Sequence, residues 1–253
     1  MKGLQGKVIV VAGGGSGIGA ATARRLAEEG ASVLIGDIAV AAAETVAAGI
    51  RDQGGNALGV AFDIGDDASV KNLIDIAVQT YGGLDGLHAN AADLSVIFED
   101  GDALDISLDI FDRTLAINLR GHLLCTRHAL PELLRRGGGS IVYTSSAAAF
   151  IGEPNRVAYG VSKSGLNALM RHVASRWGRE GIRANAVAPG LEPTEKTRDT
   201  IPEEFIQLAL SGGRSPRLGE PEDIAALVSL LLSDDGGWIN GQVISIDGGA
   251  TLR

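Results

Sequence analysis

The sequence has one cysteine, Cys125, among 253 residues. An internal disulfide is therefore excluded. Cys125 lies in the apolar run Leu123-Leu124-Cys125, where a thiol belongs to a core and not to nucleophilic chemistry. No apolar run approaches the ~18 residues needed to span a bilayer, and residues 1–7 show no secretory leader pattern. The expectation is a cytoplasmic protein with no membrane partner. Basic residues are in deficit, 22 Lys and Arg against 31 Asp and Glu, for a net charge of −9. Tracking a nucleic-acid backbone needs a basic surface, so nucleic acid is excluded as the main partner. A small anionic ligand is not excluded, because backbone N–H groups can hold one. The four histidines, His88, His122, His128 and His172, show no metal-ligand spacing with one another or with Cys125, and no metal is assigned. There is no internal repeat, low-complexity segment or linker. One domain over residues 1–253 is expected, with 45% hydrophobic residues to build its core.

Glycine is abundant, 36 residues, well above the usual ~7%. Much of it punctuates an alternation of short β-branched runs and helical segments. Lys7 to Ala12 reads as a buried strand, followed by Gly13-Gly14-Gly15-Ser16-Gly17-Ile18-Gly19 and a helix from about Ala20 to Glu29. A second apolar run, Ala31 to Gly36, ends at Asp37. Strand, glycine-rich turn, helix, strand and acid outline the dinucleotide-binding βαβ unit. A pyrophosphate is favoured at a helix N-terminus, and glycines let the backbone approach it. An acid after the second strand accepts hydrogen bonds from ribose hydroxyls and repels a 2′-phosphate. No Arg or Lys lies between Gly13 and Arg24 or beside Asp37, which favours NAD over NADP.

Further strands are expected at Asn56–Phe62, Leu84–Ala89, Ser140–Ser145, Ile182–Ala188 and Gln242–Ile246. Helices are expected over Ala39–Arg51, from Asp66 or Asp67 to Tyr81, over Ser107–Arg136 and Val157–Arg179, and from Glu220 to Ser233. Leu191–Arg217 has weak periodicity and reads as a lid loop. The pattern is α/β: one doubly wound Rossmann-type domain around a parallel sheet of about seven strands. Asp63, at the end of the third strand, either contacts a ligand amine or starts the next turn. Asn118, in a Leu-rich helix, is expected to be buried and hydrogen-bonded to backbone or water.

Tyr159 and Lys163 are one helical turn apart, so both side chains share a face. An ammonium beside a phenol should lower the phenol pKa and poise it as a general acid/base. On its own, such a pair is more often a solvated face with a snorkelling lysine. Ser146, at the tip of the fifth strand, offers a hydroxyl to a substrate oxygen.

Across nearly the whole chain these motifs resemble the short-chain dehydrogenase/reductase family. Ala12 to Gly19 is similar to its Thr-Gly-x-x-x-Gly-Ile-Gly loop, Tyr159 to Lys163 to its Tyr-x-x-x-Lys, and Pro189 to Thr194 to its Pro-Gly-x-x-x-Thr. The family's Asn-Asn-Ala-Gly is Ala89-Asn90-Ala91-Ala92 here, and Ala12 replaces a Thr. The resemblance implies hydride transfer between a secondary alcohol or ketone and the nicotinamide of NAD. Tyr159 would be the proton carrier. Lys163 would act beside it and on the nicotinamide ribose, Ser146 on the substrate oxygen, and Asn118 on a relay water. Gly13, Ser16, Gly17, Ile18, Gly19, Asp37, Asp63, Ile64, Asn90, Pro189, Gly190, Leu191 and Thr194 would hold the cofactor, with Thr194 and the Leu191 backbone at the carboxamide. The pocket would be lined by Ala92–Ile97, Ala147–Glu153 and Leu191–Arg217, with Phe150, Ile151, Leu191 and Phe205 suiting an apolar, cyclic or steroid-like alcohol. A homotetramer is the family habit. The other readings are an NADPH-using 3-oxoacyl-thioester reductase, which Asp37 opposes, and a non-catalytic NAD-binding protein, which the intact Ser-Tyr-Lys set opposes.

Overall fold

The computed structural model describes residues 1–193 and 203–252, apart from the side chains of Phe205 and Leu208. Val8–Ala12 (β1) is buried at every position, as a continuous apolar run with helices on both sides should be. The other strands are Ser32–Asp37 (β2), Asn56–Ala61 (β3), Gly86–Ala89 (β4), Gly139–Thr144 (β5), Ile182–Pro189 (β6) and Val243–Ile246 (β7). All seven pair in parallel, in the order β3-β2-β1-β4-β5-β6-β7. The order reverses between β1 and β4. In open α/β sheets that reversal opens a crevice at the carboxyl ends of the strands.

Side chains of successive residues leave the sheet on opposite faces, which splits the core in two. Ile9, Val11, Val33 and Ile35 pack against Gly17–Glu28 (α1), Val40–Asp52 (α2) and Pro221–Leu232 (α8), through Leu26, Val46, Ile50 and Val228. Val10, Leu34, Leu87 and Ile141 pack on the other face against Asp67–Tyr81 (α3), Gly121–Arg135 (α5) and Val157–Trp177 (α6), through Leu73, Leu133, Leu166 and Met170. Local signals set the helix starts. Asp66 accepts from the amides of Ala68 and Ser69 at 3.2 and 3.3 Å and caps α3. Pro221 opens α8 at a position where its missing N–H costs nothing.

Three expectations need correction. The long helix expected over Ser107–Arg136 is two helices, Leu108–Leu115 (α4) and α5, joined by a π-helical turn over Ala116–Arg120. Apolar periodicity carries straight through the break, so it could not show there. The helix bearing Tyr159 stops at Trp177 and continues as a 3₁₀ turn to Gly181, which is left-handed at φ 83°. The stretch read as a lid loop contains a helix, Glu203–Gly212 (α7), with two acids in its first turn. Among the described residues no helix is long and apolar enough to cross a membrane.

Candidate active site

Six of the seven strands end on residues that the sequence singled out, or one or two residues before them, which brings those residues to one edge of the sheet. At the end of β1 the amides of Gly13 and Gly14 both donate to Gly36 O, at 2.8 and 3.1 Å, and bend the loop across β2. Gly13 is left-handed (φ 88°), and a Cβ there would lie 2.6 Å from Ala91 Cα. A Cβ on Gly19 would lie 2.0 Å from Gly13 O, so α1 starts hard against the loop. Ser16 stands at the N-cap of α1, yet its hydroxyl makes no cap bond. First-turn amides have no intrahelical partner, and here they follow directly on a backbone-only cradle. Ile18 packs partly buried on the core beneath. At the end of β2, Asp37 Oδ2 accepts from Gly15 N at 2.8 Å and Oδ1 from Ala39 N at 2.9 Å. The carboxylate is thereby fixed at the rim of the loop. These residues fit a diphosphate on the helix end with a ribose diol at Asp37. Asp63 is exposed beyond β3, and its Oδ1 accepts from Gly65 N at 2.8 Å, so it does start the turn. Ile64 is buried against Gly121.

Thr144, at the end of β5, ties the two sides of the crevice together. Asn90 Nδ2 donates to Gly13 O at 2.8 Å. That carbonyl can only accept, so Asn90 Oδ1 must face Thr144, whose hydroxyl donates to it at 2.8 Å. Having spent its proton, Thr144 Oγ1 accepts from His88 Nε2 at 2.9 Å. Hydrogen-bond valence therefore assigns the tautomer: Nε2 carries the proton, and His88 Nδ1 is a buried acceptor with no partner. Burial pushes His88 down to about 3, so the ring is neutral. Thr144 O accepts from Lys163 Nζ at 2.9 Å. A single residue thus joins the glycine loop, Asn90, His88 and Lys163.

Tyr159 and Lys163 lie one turn apart on α6, the amine 5.6 Å from the phenol ring centroid. Lys163 is 1% exposed, and burial pulls its amine down to about 8. Ser146 caps a 3₁₀ turn by accepting from Ala148 N at 3.2 Å, and its hydroxyl acts to lower the pKa of the Tyr159 phenol. Burial, aided by the acids Glu192 and Glu153, outweighs that effect and the charge of Arg156, so the phenol lies above its ordinary value. The expected lowering by Lys163 is not found. The ammonium is spent on Thr144 O, and the dry surroundings that disfavour its charge disfavour a phenolate as well. Glu192 is itself raised to about 8, by burial first and then by Asp223.

Asn118 is fully buried in the π turn. Its Oδ1 accepts from Asp93 N at 2.8 Å and its Nδ2 donates to Asp93 O at 3.2 Å. Both ends of the amide thus bond the backbone of Asp93, as its burial requires. Pro189 ends β6, and Gly190 N donates to Ile246 O at 3.3 Å. A Cβ on Gly190 would meet Asp247 Cβ at 2.9 Å. Leu191 is partly buried beside them. Thr194 and the side chain of Phe205 lie outside the described residues. Ile151 is 48% exposed at the rim. Sequence reasoning missed Thr144, His88 and Glu192. The alternation in Ser140–Ser145 could have marked Thr144 as facing the same side as Val142. Nothing local marks the others.

A family model described as enoyl-(acyl carrier protein) reductase matches residues 12–251. A probable short-chain type dehydrogenase/reductase of Bradyrhizobium diazoefficiens is 43% identical over 97% of this chain and 88% of its own length. The cis-4-hydroxycyclohexanecarboxylate dehydrogenase of Sinomonas cyclohexanicum is 40% identical over 97% and 96%. Among solved structures, a 7α-hydroxysteroid dehydrogenase complexed with NADH and 7-oxo glycochenodeoxycholic acid superposes with a TM-score of 0.92 at 31% identity, covering 99% of this chain and 96% of that one. The chain belongs to the short-chain dehydrogenase/reductase family of oxidoreductases.

Proposed function

We propose that this protein interconverts a secondary alcohol and a ketone with NAD(H), using Tyr159 as the proton carrier. The observation that carries this reading is the trio at the crevice: the Tyr159 phenol, the Ser146 hydroxyl that acts on its pKa, and the Lys163 amine on the same helix face, 5.6 Å from the phenol ring centroid. Bound NAD supplies a hydride acceptor, or as NADH a donor, at its nicotinamide C4. Ser146 and the phenol converge on one substrate oxygen. A phenol held above its ordinary range is protonated at neutral pH, the form that donates to a ketone oxygen in reduction. In oxidation the phenol would first release its own proton toward solvent, and the phenolate would then take the proton of the substrate hydroxyl, with Lys163, its amine pulled to about 8, on the same helix face. Asp37, already ligated by Gly15 N, would accept the ribose hydroxyls and exclude a 2′-phosphate. Gly13, Ser16, Gly17, Ile18 and Gly19 would carry the pyrophosphate, with Asn90, Pro189, Gly190 and Leu191 lining the nicotinamide end. Two similar proteins act, by name, on ring-borne oxygen functions. With the apolar rim, this supports a cyclic secondary alcohol as substrate class. A homotetramer in the cytoplasm is the matching assembly and location.

A panel of cyclic secondary alcohols with NAD, followed by absorbance of the reduced cofactor, tests the reading. Tyr159→Phe should lower kcat by about 10²–10⁴-fold, the range of a lost general acid/base, with NADH binding kept. NADH should bind more tightly than NADPH in titration. Near-full turnover of Tyr159→Phe, or preference for NADPH, would refute the corresponding part.

A further inference from the structure

Helix α6, which carries Tyr159 and Lys163, begins without a cap of its own. Arg156 stands at its N-cap in the left-handed region (φ 64°, ψ 44°) and makes no side-chain cap bond. Such a conformation is costly for a non-glycine residue and persists only where neighbours hold it. What holds it is remote in sequence. Arg156 N donates to Asp100 O at 3.0 Å and Val157 N to Gly101 O at 3.2 Å. Ala158 N donates to Asp100 Oδ1 at 3.0 Å, and the amide of Tyr159 itself to Asp100 Oδ2 at 2.8 Å. Two consecutive residues of the strap between β4 and α4 thus satisfy four consecutive amides at the start of the catalytic helix. Asp100 is 4% exposed. A buried carboxylate accepting two N–H bonds at a helix N-terminus is favoured by charge assistance and by the helix dipole.

The strap is pinned at its other end as well. Asp93 is held through its backbone by Asn118 and through its carboxylate by Arg113, whose Nε donates at 2.8 Å. Residues 94–97, the stretch expected to face the substrate, run between these two anchors.

We propose that Asp100 is a positioning residue for Tyr159. Its carboxylate fixes the first turn of α6 to the strap, so that the wall beside the substrate and the proton-carrying phenol move as one unit. This inference rests on the oxidoreductase reading above, and its test separates the two.

The variants are Asp100→Ala, which removes both acceptors, and Asp100→Asn, which keeps one. Hydrogen exchange read by mass spectrometry is expected to quicken at least about tenfold for amides 156–159 in Asp100→Ala, with β1 and β4 unchanged. kcat should fall about 10–100-fold, as displacement of a reacting group by roughly 1 Å would cause. The NADH dissociation constant should stay within about twofold, because the glycine loop is not touched. Asp100→Asn should lie between parent and alanine in both exchange and kcat. Unchanged exchange at 156–159, or unchanged kcat in Asp100→Ala, would overturn the proposal. So would an NADH affinity that weakens in step with kcat, which would indicate general loss of structure. If Asp100→Ala does not fold, Asp100→Asn decides by the same criteria. A parent protein that turns over no alcohol refutes the oxidoreductase reading alone, because exchange still reports whether Asp100 holds the helix.

Discussion

Replacing Thr144 by valine keeps the shape of the side chain and removes only its hydroxyl. That oxygen accepts from His88 Nε2 at 2.9 Å and donates to Asn90 Oδ1 at 2.8 Å. His88 is 0% exposed, so its N–H is left with no partner and no water, which costs about 1–3 kcal/mol. Asn90 is only partly buried, and water can reach its Oδ1, so about 1 kcal/mol more is expected there. The sum is roughly 2–4 kcal/mol, or a Tm lower by about 4–16 °C for a chain of this size. Thr144→Ser is the control. It keeps both hydrogen bonds and loses one methyl, worth about 1 kcal/mol. The two variants should therefore separate in a thermal melt followed by circular dichroism, with valine the less stable although it is the closer match in volume. The Lys163 contact uses the Thr144 carbonyl and survives in both. NADH should bind more weakly to the valine variant, because Asn90 no longer holds Gly13 O from a fixed position. If valine and serine melt within experimental error of each other, the assignment of the His88 tautomer and of Thr144 as the joint between them is wrong.

Buried groups also set the response to pH. The Lys163 amine titrates at about 8 in the folded chain against an ordinary 10.5. Its charge therefore destabilises the fold fully below about 8, and the penalty is relieved as pH rises toward 10.5. Lys163→Met should then be inactive yet more stable than the parent at neutral pH, by roughly 1–3 kcal/mol after the lost bond to Thr144 O is subtracted. Melts across the alkaline range should show that gap closing, and a gap independent of pH would contradict the burial argument. On the acid side, His88 and His122 fall to about 3 from 6.5. Between those values the unfolded chain takes up protons that the folded chain refuses. Stability should drop by up to about 1.4 kcal/mol per pH unit for each histidine. His122→Phe should remove about one proton from that slope in denaturant titrations at several pH values, and an unchanged slope would show that His122 titrates normally.

Much of the frame was legible because it rests on local chemistry. β-branched runs bounded by glycine read as buried strands, and the observed strands fall within a residue or two of them. Gly13 to Gly19 and Asp37 were recognisable because a turn that no Cβ can enter needs glycine at those positions. Tyr159 and Lys163 share a face because the helical repeat places them there. Legibility ended where one polar group depends on another far away in the chain. The π turn at Asn118 interrupts no apolar pattern, and its amide finds Asp93 only after the strap has folded back. The cap of α6 was invisible near Arg156, because the carboxylate that supplies it is Asp100. Nothing near His88 in the sequence marked it as the partner of Thr144, 56 residues away.

The sequence by itself determined the alternation of strands and helices, the glycine cradle and the shared helix face of Tyr159 and Lys163, since each follows from residue shape and short-range periodicity. Only the tertiary structure decided the electrostatics. Burial holds the Tyr159 phenol above its ordinary value and pulls Lys163 to about 8, opposite to what their spacing alone suggests. The reason is that a pKa depends on how much water and which dipoles surround a group. That surrounding is assembled from β4, β5, α6 and the strap only when they meet.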